Sequence, residues 1–117
     1  MIHELHLDPA PFLAIAEGRK TVEMRLFDEK RRAIAVGDTL FIRERGGVRT
    51  LLAVVVALHR YADFPSLYRA LPHTALGYPA GAVGDPADME AYYPLSEQKA
   101  YGALGIEIKC KQNLAHH

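Results

Sequence analysis

The chain is poor in thiol chemistry: Cys110 is its single cysteine. That count excludes an internal disulfide framework and a multi-cysteine zinc site, and it fits a reducing compartment. Net charge is also missing, since 14 Lys/Arg balance 14 Asp/Glu. A protein with no charge surplus does not coat nucleic acid by bulk attraction, so any basic surface has to be local. Long apolar runs are absent as well. The longest, Leu51 to Leu58, is far too short to cross a bilayer as a helix. The opening "MIHELHLDP" lacks the basic start and apolar stretch of a secretory leader, so a cytoplasmic location is expected. There are no repeats, no low-complexity tract and no glycine-rich phosphate cradle.

What is present suits an ordinary folded domain. The chain has 117 residues, 50% hydrophobic and 24% charged, enough to bury a core without a covalent staple. The halves differ slightly: residues 1–60 carry ten Lys/Arg against eight Asp/Glu, and residues 61–117 carry four against six. Residues 1–111 are read as one domain. Residues 112–117 are set apart as a C-terminal tail whose origin in the cloning is left open.

Ile2–Leu7 reads as a strand. Asp8 followed by Pro9 predicts a helix start, with Phe12, Ile15 and Ala16 on one face and Gly18 as the stop. Lys20 to Phe27 alternates as a strand does, and "DEKRRAI" reads as a polar turn or one helical turn. A turn at 36–38 precedes the strand Thr39–Glu44, and "RGG" at 45–47 forms a hairpin loop. A long strand follows from Arg49 to about His59; its apolar run predicts burial on both faces. Asp63–Leu71 is a short helix, 72–86 a long loop, and Asp85-Pro86 repeats the cap-plus-proline signal. A helix at Ser96–Gly102 and a strand from Leu104 to Lys111 complete the chain. Consecutive strands with short helices predict an α+β fold with an antiparallel or mixed sheet.

The stretch "GRKTVEMRLFDEKRR", residues 18–32, poses the functional question. Strand period two sends Val22, Met24 and Leu26 to one face and Thr21, Glu23 and Arg25 to the other. Two residues along a strand are about 7 Å apart, so Glu23 and Arg25 can touch or share a ligand. Arginine offers a planar fork for phosphate or carboxylate, and glutamate accepts hydrogen bonds or serves as a general base. Lys20 stands at the corner just before them. A solvated strand face and a polar pocket both fit this spacing, and spacing alone favours the former.

Other polar residues have plain readings beside functional ones. His59 and Tyr61 end the long strand, where a ligand or simple packing would use them. Asp85, Asp88 and Glu90 serve as a cap and first-turn charges, or supply a carboxylate to a cleft. Tyr92 and Tyr93 pack or stack a base, and the loop 72–84 is long enough to be a lid. Arg19 with Lys30, Arg31 and Arg32 is the best local phosphate surface, or a solvated corner. His3 and His6 face opposite ways on a strand. No His, Asp or Glu cluster has ligand spacing, so neither a metal nor a cofactor is expected.

Taken together, "FLAIAEGRKTVEMRLFDEKRRAIAVGDTLFI", "VVALHRYADFPSLYRALP", "LGYP", "DPADMEAYY" and "YGALGIEIK" resemble the activating signal cointegrator homology (ASCH) family over about residues 5–110. The resemblance implies a PUA-like fold: a small closed β-barrel of about five to six mostly antiparallel strands with short peripheral helices. It also implies a cleft lined by "KTVEMR", hence by Lys20, Thr21, Glu23 and Arg25, with His59 and Tyr61 nearby. RNA or a nucleotide is the implied ligand. One bacterial branch resembles amidohydrolases acting on 4-acetylcytidine, and other members resemble ribonucleases. The amidohydrolase branch carries Lys-Thr-x-Thr-x-Arg; here Lys20 and Arg25 match, but Glu23 stands where the nucleophilic Thr belongs. A carboxylate does not repeat the hydroxyl's acyl-enzyme chemistry. The remaining catalytic route is water attack with Glu23 as base and Lys20 or Arg25 holding an oxyanion.

Overall fold

The computed structural model describes residues 1–113. Its strands are β1 (Ile2–Leu7), β2 (Val22–Leu26), β3 (Thr39–Glu44), β4 (Thr50–Tyr61) and β5 (Ala103–Asn113). Its helices are α1 (Pro9–Ala16), α2 (Glu29–Arg32), α3 (Phe64–Ala70) and α4 (Leu95–Tyr101), with a 3-10 helix at Pro86–Ala91. β5 runs two residues beyond the expected boundary at 111; the rest of the expected tail, 114–117, lies outside the described residues.

The five strands form one sheet in the order β1-β3-β4-β5-β2. β1 pairs with β3 in parallel; the other three pairings are antiparallel. The sheet curls into a half-barrel of the α+β, PUA-like kind. β1 and β2 are its two ends, and no ladder joins them among the described residues. The expected main-chain closure of the barrel is thus replaced by an open seam between β1 and β2.

Two cores occupy the two faces of the sheet. The inner one joins Leu5, Leu7, Leu40, Ile42, Leu51 and Ile106, plugged by Phe12 and Ile15 of α1. The outer one joins Val22, Met24 and Leu26 of β2 to Phe64, Leu67 and Tyr68 of α3, with Leu76 and Met89. The apolar face of β2 therefore turns to α3, which sends Glu23 and Arg25 toward the barrel interior. Gly105 lets α3 come close: a Cβ there would stand 3.1 Å from Val22 and 3.2 Å from Leu71.

Local signals behave as their chemistry directs, with exceptions. Asp28, Asp63 and Asp85 accept hydrogen bonds from backbone N–H groups of the helices they precede. Asp8 makes no such cap bond; its carboxylate meets Arg45 at 3.3 Å. α4 starts one residue before Ser96, so Pro94 is its cap position. β4 is not buried on both faces: Leu51, Ala53 and Val55 are buried while Val56 is exposed. Of two register shifts in the β4–β5 ladder, the one at Val55/Ala57 inserts Val56 into β4 and breaks its alternation.

Candidate functional site

β2 presents a buried ion cluster to the seam. Glu23 Oε1 lies 2.8 Å from Lys20 Nζ, and its Oε2 accepts from Arg25 Nε at 2.9 Å. The same guanidinium donates through its second arm to the His6 carbonyl on β1, at 3.0 Å. All three charged side chains are 10% exposed or less. Burial pushes the Glu23 carboxyl up, but the charges and hydrogen bonds of Lys20 and Arg25 outweigh it and hold it below the ordinary carboxylate range. Burial opposes the Arg25 charge, yet Glu23 and the neighbouring Tyr93 phenol raise its pKa. Two cations and one anion leave a net positive charge on three nearly buried side chains.

Over this cluster opens a cleft of about 910 Å³, within the size range of small-ligand sites. One wall is the end of β1 with Arg45; the floor is Lys20, Glu23 and Arg25. The opposite wall comes from α3, the following loop and the 3-10 helix, through Tyr68, Tyr78, Asp88, Tyr92 and Tyr93. Tyr68 and Tyr78 hydroxyls are 2.8 Å apart, and Tyr78 donates to Asp88 Oδ2 at 2.8 Å. Burial, then the hydrogen bonds to Tyr68 and Asp88, push the Tyr78 pKa up, so this wall is neutral phenol plus one carboxylate. Tyr93 lies parallel to Phe64 with ring centres 6.2 Å apart, while Tyr92 is exposed.

The loop is held down by His73. The Gly84 N–H donates to His73 Nδ1 at 2.8 Å, so Nδ1 is the acceptor nitrogen. Nε2 therefore carries the proton and donates to the Tyr68 carbonyl at 2.7 Å. The Ala75 carbonyl accepts from both Thr21 N–H and Val22 N–H, which ties the loop to the start of β2.

Of the residues expected at the site, Lys20, Glu23 and Arg25 line the cleft, and Thr21, His59 and Tyr61 do not. Thr21 precedes the strand and is exposed, because the chain turns there to meet Ala75. His59 pairs with Glu107 at 2.9 Å on the other face. Tyr61 packs against the outer core. Asp88 reaches the cleft; Asp85 and Glu90 are not among its lining residues. Arg19 is exposed and paired with Glu17. Lys30, Arg31 and Arg32 sit on α2 outside the cleft, with Arg31 bound to Asp28 at 2.7 Å. Sequence reasoning missed Tyr68, Tyr78 and Arg45. Among the described residues, no group of three or more His, Cys, Asp or Glu side chains is arranged to hold a metal, and no helix is long and apolar enough to cross a membrane.

A model of the ASCH domain matches residues 5–111. The chain belongs to the ASCH family. No curated protein matches it. Among solved structures it is similar to the hypothetical protein PH0355, with 27% identity, TM-score 0.79, and coverage of 95% of this chain and 100% of that one. A Pyrococcus furiosus protein, PF0455, gives 28% identity, TM-score 0.71, and coverage of 96% and 99%. ASCH from Zymomonas mobilis, at 19% identity and TM-score 0.63 over 96% of this chain and 69% of its own, shares the fold.

Proposed function

We propose that this ASCH protein recognises a nucleotide unit of RNA in the cleft, and that it binds rather than hydrolyses. The observation that carries this reading is the buried Lys20–Glu23–Arg25 cluster at the floor of the cleft. Its net positive charge favours an anionic or acceptor-rich ligand, and charge-assisted hydrogen bonds from Lys and Arg are strong where water is excluded. Tyr92 offers an exposed aromatic face on which a base can stack.

The chemistry of Glu23 argues against hydrolysis. A general base works best with a pKa near the operating pH. Glu23 is held ionised and weakly basic by two cations. Thr21, the nearest hydroxyl on the segment, lies outside the cleft lining.

Calorimetric titration with mononucleotides tests the reading. Lys20→Met and Arg25→Met are each expected to weaken binding by about tenfold or more, the scale of one charge-assisted hydrogen bond. Wild-type affinity in both variants rules the cleft out. Incubation with 4-acetylcytidine is expected to release no acetate; turnover abolished by Lys20→Met would replace recognition with hydrolysis.

A further inference from the structure

The floor and the far wall of the cleft offer opposite halves of a hydrogen bond. Lys20 gives Glu23 one of its three hydrogens, and Arg25 gives one of its five to Glu23 and one to the His6 carbonyl. The floor therefore keeps donors to spare. The wall is the reverse. Tyr78 spends its one hydroxyl hydrogen on Asp88 Oδ2, at 2.8 Å. The Tyr68 and Tyr78 oxygens are also 2.8 Å apart, so Tyr68 is the donor between them. The relay runs from Tyr68 through Tyr78 to Asp88 and consumes both phenol hydrogens. What these three side chains have left for a ligand is lone pairs.

Asp88 stands apart from the other acids of the cleft. Of the three carboxylates that line it, Asp8 meets Arg45 and Glu23 meets Lys20 and Arg25, whereas Asp88 has a phenol and no cation among the described residues. Its Oδ1 is unpartnered there, and Oδ2 keeps a second lone pair beside the Tyr78 bond. Wall and floor adjoin. Gly77, next to Tyr78, comes so close to Lys20 that a Cβ on it would stand 3.2 Å from Lys20 Cδ. One small planar ligand therefore reaches both. Tyr92, at the end of the 3-10 helix that carries Asp88, adds an exposed ring to the same cavity.

A ligand that suits this order has an acceptor for the floor and, beside it, donors for the wall. Guanine carries that order on one edge: the O6 acceptor, then N1–H and the 2-amino group. A carboxylate takes two such parallel hydrogens as it takes the fork of an arginine. Adenine and cytosine turn a ring-nitrogen lone pair to the carboxylate beside their amino group. Uracil flanks its N–H with two carbonyls. Lone pairs facing lone pairs work against each of these three.

We propose that Asp88, held by the Tyr68–Tyr78 relay, selects guanine in the cleft, with O6 toward Lys20 and Arg25 and with N1–H and the 2-amino group on the carboxylate. This rests on the cleft reading above and adds which base the cleft takes.

The test is calorimetric titration of wild type, Asp88→Asn, Tyr78→Phe and Lys20→Met with the monophosphates of guanosine, inosine, adenosine, cytidine and uridine. Inosine monophosphate keeps O6 and N1–H and lacks only the 2-amino group. Wild type is expected to bind guanosine monophosphate about tenfold tighter than inosine monophosphate, the scale of one charge-assisted hydrogen bond, and the other three more weakly still. Asp88→Asn is expected to bind the guanosine and inosine nucleotides alike. Tyr78→Phe should narrow their ratio; an unchanged ratio overturns the relay's part in the selection. If wild type binds all five alike and Lys20→Met binds them all more weakly, base selection falls and the cleft reading stands. A guanine preference that survives Asp88→Asn takes the selection away from Asp88. Tightest binding of the adenosine, cytidine or uridine nucleotide overturns the guanine assignment. Binding of none of the five removes the cleft reading and the selection with it. Asp88 is exposed, and thermal melting checks that its variant keeps the fold.

Discussion

Arg25 of β2 donates to the main-chain carbonyl of His6 on β1, at 3.0 Å, across the one gap in the curled sheet. A side chain thus stands in for the ladder that would close the barrel. The same guanidinium anchors Glu23 at 2.9 Å. Seam closure and the cleft floor therefore share one residue, Arg25.

Removing the anion from this cluster should cost more than removing either cation. Glu23→Gln keeps the shape but leaves Lys20 and Arg25 facing each other in a buried space. The loss expected on breaking a buried ion pair is about 3 kcal/mol or more. Urea unfolding of Glu23→Gln, Arg25→Met and the double variant measures it. A double variant more stable than Glu23→Gln alone is the expected signature, because it relieves the uncompensated charge. Equal additive losses would show that the three groups do not act as a unit.

Acid should attack the same cluster. The folded-state pKa of Glu23 is lowered from its ordinary value of 4.5. A depressed carboxylate stabilises the fold fully above the unfolded pKa, and the contribution fades as pH falls through the folded one. Asp38 acts likewise: hydrogen bonds from His3 and the Ala35 N–H bring it from 3.8 to about 2. Unfolding free energy should thus be flat between pH 5 and 7 as far as these two groups go, and fall below about pH 4.5. The fall should be shallower in Glu23→Gln and in Asp38→Asn. A slope identical to wild type in both would assign acid loss to other carboxylates.

The loop over the cleft should depend on one imidazole. The backbone N–H of buried Gly84 has His73 Nδ1 as its acceptor. His73→Ala leaves that donor unpaired, at a cost of about 1–3 kcal/mol. Faster amide exchange at Gly84, Leu76 and Tyr78 is the expected result, with weaker ligand binding, since Leu76 and Tyr78 line the cleft. The Nδ1 nitrogen of His73 should report an unprotonated acceptor in a nitrogen NMR spectrum at neutral pH.

Much of this was legible in the residues, for local reasons. Period-two patterning placed β1, β2 and β3, and the Asp85-Pro86 pair announced the start of the 3-10 helix. The face shared by Glu23 and Arg25 followed from the same rule. The parallel pairing of β1 with β3 had no local signal, because it depends on where the chain returns after α1, β2 and α2. His59 and Tyr61 lie outside the cleft lining for a definite cause. The register shift at Val55/Ala57 inserts Val56 into β4 and reverses the phase of its second half, so Leu58 packs on the inner core and Tyr61 on the outer one. Tyr68, Tyr78 and Arg45 come from three separate loops and helices, and only the folded chain brings them to one wall or the other.

Gly77 offers the sharpest separation of binding from stability. Its φ is +105°, a conformation side chains avoid, and a Cβ there would meet Lys20 Cδ at 3.2 Å. The loop backbone therefore lies directly over the lysine stem and fixes where the ammonium points. Gly77→Ala strains the turn by about 1–2 kcal/mol and pushes Lys20 away from Glu23. Ligand affinity should fall by more than the melting shift accounts for, because the displaced group is a contact residue of the cleft. Lys20→Met in the same background should then add little to the loss. Full additivity of the two substitutions, measured by calorimetry, would mean that Gly77 acts on the fold alone and does not position the lysine.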